Sequence, residues 1–284
     1  MSAKKPIESG AESVVYSLTN SDGSVYIVKN RQPKGKVHYR FEAYLYEKLY
    51  RLGARVPRVI SVDDDELVMT ALQGETIDDR TDLFGNQAIF QAVADDLLLS
   101  RKLPFKGYGP AILIDGEYVG ECKSWNEFLN STLAVLETST LLSPAQKEVL
   151  LEYWKKVAPA IRLNEGMLVH GDFALSAIFV HNNKYEGIID YGDAFIGDPL
   201  MDLAYFRFKE ITKDYGYEIY SLLKNSYVKN LDIDDETLER IIVFYMVYWA
   251  VVRVHSNALD AALVQKFIDK TEALVAYITS QASR

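Results

Sequence analysis

Near Gly74 the hydrophobic pattern of this 284-residue chain shifts from mostly strand-like to mostly helical, and that change limits the folds open to it. Before it, β-branched and aromatic residues gather in short runs split by turn signals, as in strands. After it, apolar residues recur at three- and four-residue spacing, as in helices. Ser13-Val-Val-Tyr-Ser-Leu and Ser24-Val-Tyr-Ile-Val-Lys flank Asn20-Ser-Asp-Gly, a hairpin signal. From Tyr39 to Leu52 the spacing turns helical, with Phe41, Tyr44, Leu45, Lys48 and Leu49 on one face and Gly53 as a stop. Arg58-Val-Ile-Ser-Val and Glu66-Leu-Val-Met-Thr read as two more strands across the acidic turn Asp63-Asp-Asp. The order strand, strand, helix, strand, strand predicts a small antiparallel sheet carrying one helix.

Beyond Gly74 the spacing predicts helices over Gln87–Ser100, Ser124–Leu136 and Ser143–Asn164. Ser143-Pro-Ala-Gln opens the last with a Ser N-cap, Pro at the first helical position and Gln three residues on. Two short apolar strands, Ile178-Phe-Val and Tyr185-Glu-Gly-Ile-Ile-Asp, are joined by His181-Asn-Asn-Lys, and everything after Pro199 reads as helix. No repeat, linker or low-complexity stretch interrupts the chain. An α+β protein of two packed lobes is expected, with a small sheet-and-helix lobe over residues 1–72 and a larger, mostly helical lobe over 73–284.

Composition excludes several classes of function. With 31 basic and 40 acidic residues the formal net charge is −9, which argues against a protein that grips a nucleic-acid backbone. A single cysteine, Cys122, excludes an intramolecular disulfide and is too few for a thiolate metal site. The longest apolar run, Ile241 to Val252, spans 12 residues and ends at Arg253, short of a bilayer. The start, Met1-Ser-Ala-Lys-Lys-Pro, has no apolar secretory core. A soluble cytoplasmic protein that contacts neither nucleic acid nor membrane is expected.

Chemistry concentrates in Leu168-Val-His-Gly-Asp-Phe-Ala-Leu-Ser-Ala-Ile-Phe-Val, Ile188-Ile-Asp-Tyr-Gly-Asp and Gly197-Asp-Pro-Leu-Met-Asp-Leu-Ala. Asp172 and Asp190 lie 18 residues apart, each at the end of an apolar strand, with a hairpin between them. Two acids on rigid strand ends can share a metal–phosphate substrate, one accepting a hydroxyl proton and the other holding Mg²⁺ through hard oxygens.

These three spaced motifs resemble the catalytic core of the aminoglycoside phosphotransferase family, small-molecule kinases that share the protein-kinase fold. The resemblance follows nearly the whole chain in element order and implies a bilobal protein-kinase-like fold. It gives Asp172 the role of the catalytic-loop acid that accepts the acceptor proton, and Asp190 that of the metal ligand. Lys29, closing Val25-Tyr-Ile-Val-Lys, is the implied contact to the α- and β-phosphates. Glu42 on the next helix is its implied partner, with Glu47 as the rival. Glu8-Ser-Gly-Ala-Glu-Ser stands where the phosphate-covering loop should be, with backbone N–H groups of Gly10 to Ser13 as a phosphate nest. Leu67 to Gly74 resembles the hinge. There Met69 would back the adenine, while the Thr70 carbonyl and the Leu72 N–H would meet its edge. An apolar strand followed by a turn explains those hinge residues equally well.

Asp193 could face substrate or solvent. Asp198 and Asp202 are expected to tie the following helix to the catalytic loop, and His170 to brace that loop. His38, His181 and His255 have no metal spacing, and Trp125 reads as a core anchor. The family places an Asn five residues after the catalytic acid as a second metal ligand; here that position is Ala177. Ser176 beside it would point to the opposite face of a strand. A weakened or single-metal site is therefore expected. Gly171 stands where regulated protein kinases have Arg, and seven residues separate Asp190 from Asp198 without an Ala-Pro-Glu motif, so a protein substrate is disfavoured.

The resemblance thus implies transfer of the γ-phosphate of ATP or GTP, with Mg²⁺, to a hydroxyl of a small molecule. An aminoglycoside is the favoured acceptor; a macrolide, choline or homoserine type is the alternative. The competing reading, motivated by Ala177, is a catalytically silent kinase-fold binding protein.

Overall fold

Partly buried first strands and a largely apolar buried face on the first helix determine what the beginning of the chain can pack. The computed structural model describes residues 3–9, 13–33, 38–256 and 260–282. Strands β1 (Ala3–Ser9), β2 (Ser13–Thr19) and β3 (Val25–Arg31) precede helix α1 (Tyr39–Arg51), followed by β4 (Val59–Val62) and β5 (Glu66–Thr70). All five strands pair antiparallel in the order β1-β2-β3-β5-β4. The β2–β3 turn closes through Asn20 N–H to the Ser24 carbonyl at 2.9 Å. Helix α1 buries Tyr39, Phe41, Ala43, Leu45, Tyr46 and Leu49, and among them one acid, Glu42.

Strand β1 was not legible in the sequence. Ala-Lys-Lys-Pro-Ile-Glu-Ser lacks alternation, and its register slips between Pro6 and Glu8. Only an edge strand accepts a proline in this way, and β1 lies at the edge.

The chain continues through β6 (Glu75–Thr76) and α2 (Gln87–Ser100), then β7 (Pro104–Phe105), β8 (Tyr108–Ile114) and β9 (Glu117–Cys122). Next come α3 (Trp125–Thr138), α4 (Pro144–Val157), β10 (Gly166–Val169), β11 (Ile178–His181), β12 (Lys184–Ile188) and β13 (Phe195–Gly197). Helices α5 (Leu200–Glu210), α6 (Gly216–Tyr227), α7 (Asp235–Ser256) and α8 (Ala261–Ala282) end it. The capping box expected at Ser143 is formed, with both Ser143 and Gln146 side chains bonded to backbone N–H groups. Helix α4 stops at Val157 rather than near Asn164, because Pro159 has no N–H to continue the α-helical ladder and the chain tightens into a 3₁₀ turn over Ala158–Ala160.

Compactness divides this chain elsewhere than after Leu72. One unit holds residues 1–100 and 175–194, the other 101–174 and 195–284. The reason is local to the first unit. Strands β12, β11 and β6 form a three-stranded sheet against which α2 packs. Asp96 of α2 is buried and accepts from the Arg55 N–H at 2.9 Å and the Tyr185 hydroxyl at 2.8 Å. Asn182 and Asn183 both adopt positive φ in the two-residue β11–β12 turn, as the sequence His181-Asn-Asn-Lys foretold. Gly74 has φ +89, and a Cβ there would lie 2.0 Å from the Val180 carbonyl oxygen, so no other residue fits.

The second unit contains a sheet of order β7-β10-β13-β8-β9 that helical spacing had hidden. Its β8–β9 hairpin turns on Asp115-Gly116, both at positive φ. Helix α7 is buried nearly all round from Ile242 to Val251, and it packs on α5, with Tyr205 and Trp249 ring centroids 4.7 Å apart. No helix among the described residues is long and apolar enough to cross a membrane.

Candidate active-site residues

In the first unit, antiparallel pairing puts Lys29 opposite Leu67 on β3, and α1 carries Glu42 toward it. The Lys29 Nζ donates to Glu42 Oε1 at 2.7 Å and to Asp190 Oδ1 at 2.8 Å. Side-chain exposures are 12% for Lys29, 3% for Glu42 and 55% for Asp190. Burial alone would lower the ammonium's pKa, but the two carboxylates outweigh it and hold Lys29 well above its ordinary value. Glu47, the rival partner, pairs instead with Arg51 one turn on.

Asp190 adopts the left-handed conformation, φ 72 and ψ 57, which a non-glycine residue keeps only where its surroundings enforce it. One enforcing contact is the Asp190 N–H, which donates to the Tyr46 hydroxyl at 2.9 Å. The same hydroxyl lies near the Glu42 carboxylate and favours its ionised form, against the upward push of burial. Tyr46 therefore links the buried acid of α1 to the backbone of Asp190. The helical spacing in the sequence does not include Tyr46 in the apolar face of this helix, four positions after Glu42.

The Asp190 carboxylate is a hard donor of the kind Mg²⁺ takes. Among the described residues no group of three or more His, Cys, Asp or Glu gathers to cage a metal. One carboxylate can hold such an ion where phosphate oxygens and water complete its shell. Ala177 is buried, and it lies in a single 3₁₀ turn, Leu175–Ala177, not on the strand expected for it. Ser176 lies in the same turn, so it does not take the opposite face of a strand as expected. The Ala177 carbonyl accepts from the Ile189 N–H at 3.0 Å, tying this turn to the residue before Asp190.

Of the remaining nucleotide-site expectations, Gly10 lies outside the described residues. Ser13 Oγ is 2.7 Å from the Tyr39 hydroxyl. Met69 is buried in β5 opposite Ile27. Thr70 bonds Arg58 through its N–H and its Oγ1, both at 2.9 Å. Leu72 packs against Gly187 of β12. Asp193 is exposed.

In the second unit, Asp172 follows β10 on a loop braced from α5. The buried Asp202 carboxylate accepts the His170 N–H at 2.9 Å and the Gly171 N–H at 3.1 Å. Gly171 turns the chain at φ +86, and the Asp172 N–H donates to His170 Nδ1 at 3.4 Å. His170 thus braces the loop. Asp198 accepts from the Leu200 N–H at 2.9 Å and the Tyr245 hydroxyl at 2.8 Å.

Sequence reasoning missed the groups that hold Asp172 itself. Its Oδ1 accepts from the Tyr205 hydroxyl at 2.5 Å and from Arg253 Nη2 at 3.0 Å. The same Nη2 donates to the Gly171 carbonyl at 2.7 Å. The guanidinium lies over the rings of Tyr205 and Trp249, 4.8 and 5.3 Å from their centroids. The only signal had been Arg253 itself, a charge ending a long apolar run.

Burial pushes the Asp202 carboxyl up to about 6, against the opposing pull of His170 and the two N–H bonds. Because this acid is raised, it takes up a proton as pH falls from 7 toward 5, and it then loses acceptor strength toward the loop. Turnover is expected to fall on the acid side with an apparent pKa near that value. Asp202→Asn should remove that limb and lower the plateau about tenfold, the order of one charge-assisted hydrogen bond. A pH–rate profile of both forms checks this, and an unchanged acid limb in the variant would refute it.

The chain matches the model of the phosphotransferase enzyme family, APH, over residues 4–227, and it belongs to that family. Hygromycin-B 4-O-kinase of Escherichia coli is 24% identical over 181 residues, covering 57% of this chain and 50% of the relative. The chain therefore spans about half the length of that curated relative. Among solved structures, a thermostable mutant of aminoglycoside phosphotransferase APH(4)-Ia in ternary complex with AMP-PNP and hygromycin B superposes with a TM-score of 0.74. Identity there is 18%, over 96% of this chain and 93% of the other. The gentamicin complex of APH(2")-IIa gives 0.64 at 19% identity, with the same coverage. Similarity at these identities establishes the fold, α+β and protein-kinase-like, as the motifs implied.

Proposed function

We propose that the protein is a small-molecule kinase that transfers the γ-phosphoryl group of ATP or GTP to a hydroxyl. The observation that carries this reading is the Lys29 ammonium bonded at once to Glu42 and to the left-handed Asp190. A silent relative has no chemical need for that arrangement together with a braced Asp172. In this reading Lys29 contacts the α- and β-phosphates, Asp190 binds Mg²⁺, and the ion neutralises charge on the phosphate oxygens. Asp172 orients the acceptor hydroxyl and takes its proton. Met69, Thr70 and Leu72 are assigned to the base, and the backbone from Gly10 to Ser13 to the phosphates. Family membership supports the reaction class, and the hygromycin-linked relatives support an aminoglycoside acceptor. The basic side chains around Asp172, Arg253 and Lys209, do not favour a polycation.

Incubation with Mg²⁺ and each nucleotide over a panel of hydroxyl compounds, read by mass spectrometry, tests the proposal. A phosphorylated product supports it. Nucleotide binding with no product from any acceptor would favour the silent-protein reading that Ala177 motivates.

Ala177 supplies its own prediction. A methyl group cannot coordinate a metal, so Asp190, phosphates and water are left to hold the ions, and the second ion is the one weakened. Ala177→Asn is expected to lower the Mg²⁺ concentration at half-maximal rate and to raise kcat. Because the site is buried, a melting curve should accompany the titration. Unchanged Mg²⁺ dependence in a folded variant would mean that residue 177 is not at the metal.

A further inference from the structure

Lys209 stands one helical turn after Tyr205 on α5. Its ammonium lies 3.5 Å from the Tyr205 hydroxyl and 5.5 Å from that ring's centroid. The same hydroxyl is 2.5 Å from Asp172 Oδ1, so two hydrogen-bond lengths separate this ammonium from the proposed catalytic acid. Lys209 is half-buried, and among the described residues it forms no ion pair. The adjacent Glu210 is engaged by Lys213 at 3.4 Å. Lys270, from α8, donates to the Lys209 carbonyl and adds a further positive charge to the same helix end.

Burial lowers the basicity of Lys209. Arg253 and Lys266 lower it further, while Asp172 and Glu210 oppose them. An ammonium withdrawn from water beside other cations is disfavoured, and an anion brought against it relieves that cost. Arg253, on the other side of Tyr205, contributes a planar cation with several donors to the same neighbourhood. Two cations flank one catalytic acid, although the whole chain carries a net charge of −9.

We propose that Lys209, together with Arg253, binds an anionic group on the acceptor, so that the substrate is a hydroxy acid or a polyol phosphate rather than a polycation. The inference rests on the phosphotransferase reading. The spacing to Asp172 places the anion within a few bonds of the hydroxyl that is phosphorylated. A polycationic aminoglycoside would bring like charge against Lys209 and Arg253.

Two matched acceptor series test this: glycerol, glycerate and glycerol 3-phosphate, and glucose, gluconate and glucose 6-phosphate. Choline and hygromycin B serve as the cationic probes. In at least one series an anionic member should exceed its uncharged parent in kcat/KM by about tenfold or more, the order of one charge-assisted hydrogen bond. Whether the carboxylate or the phosphate member leads identifies the anion. Lys209→Met should bring that ratio toward one by raising KM for the anionic acceptor, and Lys209→Arg should restore it. Faster turnover of hygromycin B or choline than of every anionic probe would overturn the inference. So would an equal loss with charged and uncharged acceptors in Lys209→Met, which would assign Lys209 to the transferred phosphoryl group. Binding of Mg·ATP without transfer to any anionic probe would also overturn it while leaving the kinase reading standing. Absence of Mg·ATP binding in calorimetry would remove the kinase reading, and this inference with it.

Discussion

Asp172→Asn is expected to lower kcat by about 10²–10⁴-fold, the usual reach of general-base assistance, with nucleotide affinity retained. The substitution keeps the size of the side chain but removes both the proton acceptor and the negative charge. It also disturbs the clamp, because Oδ1 accepts from Tyr205 and Arg253 together. Phosphoryl transfer depends largely on positioning, so the loss should fall toward the lower end if the amide oxygen still accepts from both donors. Single-turnover rates at saturating nucleotide measure the effect. Wild-type turnover in the variant would remove Asp172 from the mechanism.

The second large effect is expected at Lys29. Lys29→Ala should raise the nucleotide KM or lower kcat by about tenfold or more, since a charge-assisted bond contributes about 1.5–3 kcal/mol. It also leaves Glu42 buried at 3% exposure with its countercharge gone. Breaking such a pair costs about 3–5 kcal/mol, so the melting temperature should fall as well. Glu42→Gln should be milder on both measures, since it removes a charge that acts through Lys29. The double-mutant cycle should be strongly non-additive, because Lys29 and Glu42 share one bond. Additive losses would mean that the pair does not work as a unit.

The residues legible in the sequence were those whose neighbours are close along the chain or set by regular elements. A lysine closing a β-branched strand and an acid on the next helix turned out to be an ion pair, because β3 and α1 are consecutive. The Ser143 capping box and the Asn182-Asn183 turn were legible for the same reason, since each is decided within four residues. The β8–β9 hairpin carries an equally local signal, Asp115-Gly116 between Ile112-Leu-Ile and Glu117-Tyr-Val. It was overridden by the helical spacing around it, although Asp-Gly between apolar runs is a strong turn indicator.

The unread part of the site comes from long-range packing. Tyr205 and Arg253 reach Asp172 from 33 and 81 residues away, on two helices whose crossing no local pattern encodes. Tyr46 lies outside the apolar face that the spacing gives to α1, yet its hydroxyl meets the backbone of a residue 144 positions later. The short strands β7, β10 and β13 are held by one another, and each is too brief to show a period.

In the proposed reaction Lys29, Glu42 and Asp190 serve the Mg²⁺–nucleotide, and Asp172 serves the acceptor. Calorimetric titration of AMP-PNP, with and without Mg²⁺, into wild type, Asp190→Asn and Asp172→Asn tests it most directly. Mg²⁺-dependent binding is expected for wild type, near-equal binding for Asp172→Asn, and affinity lowered by about tenfold or more for Asp190→Asn. Binding lost equally in both variants, or absent from wild type, would contradict it.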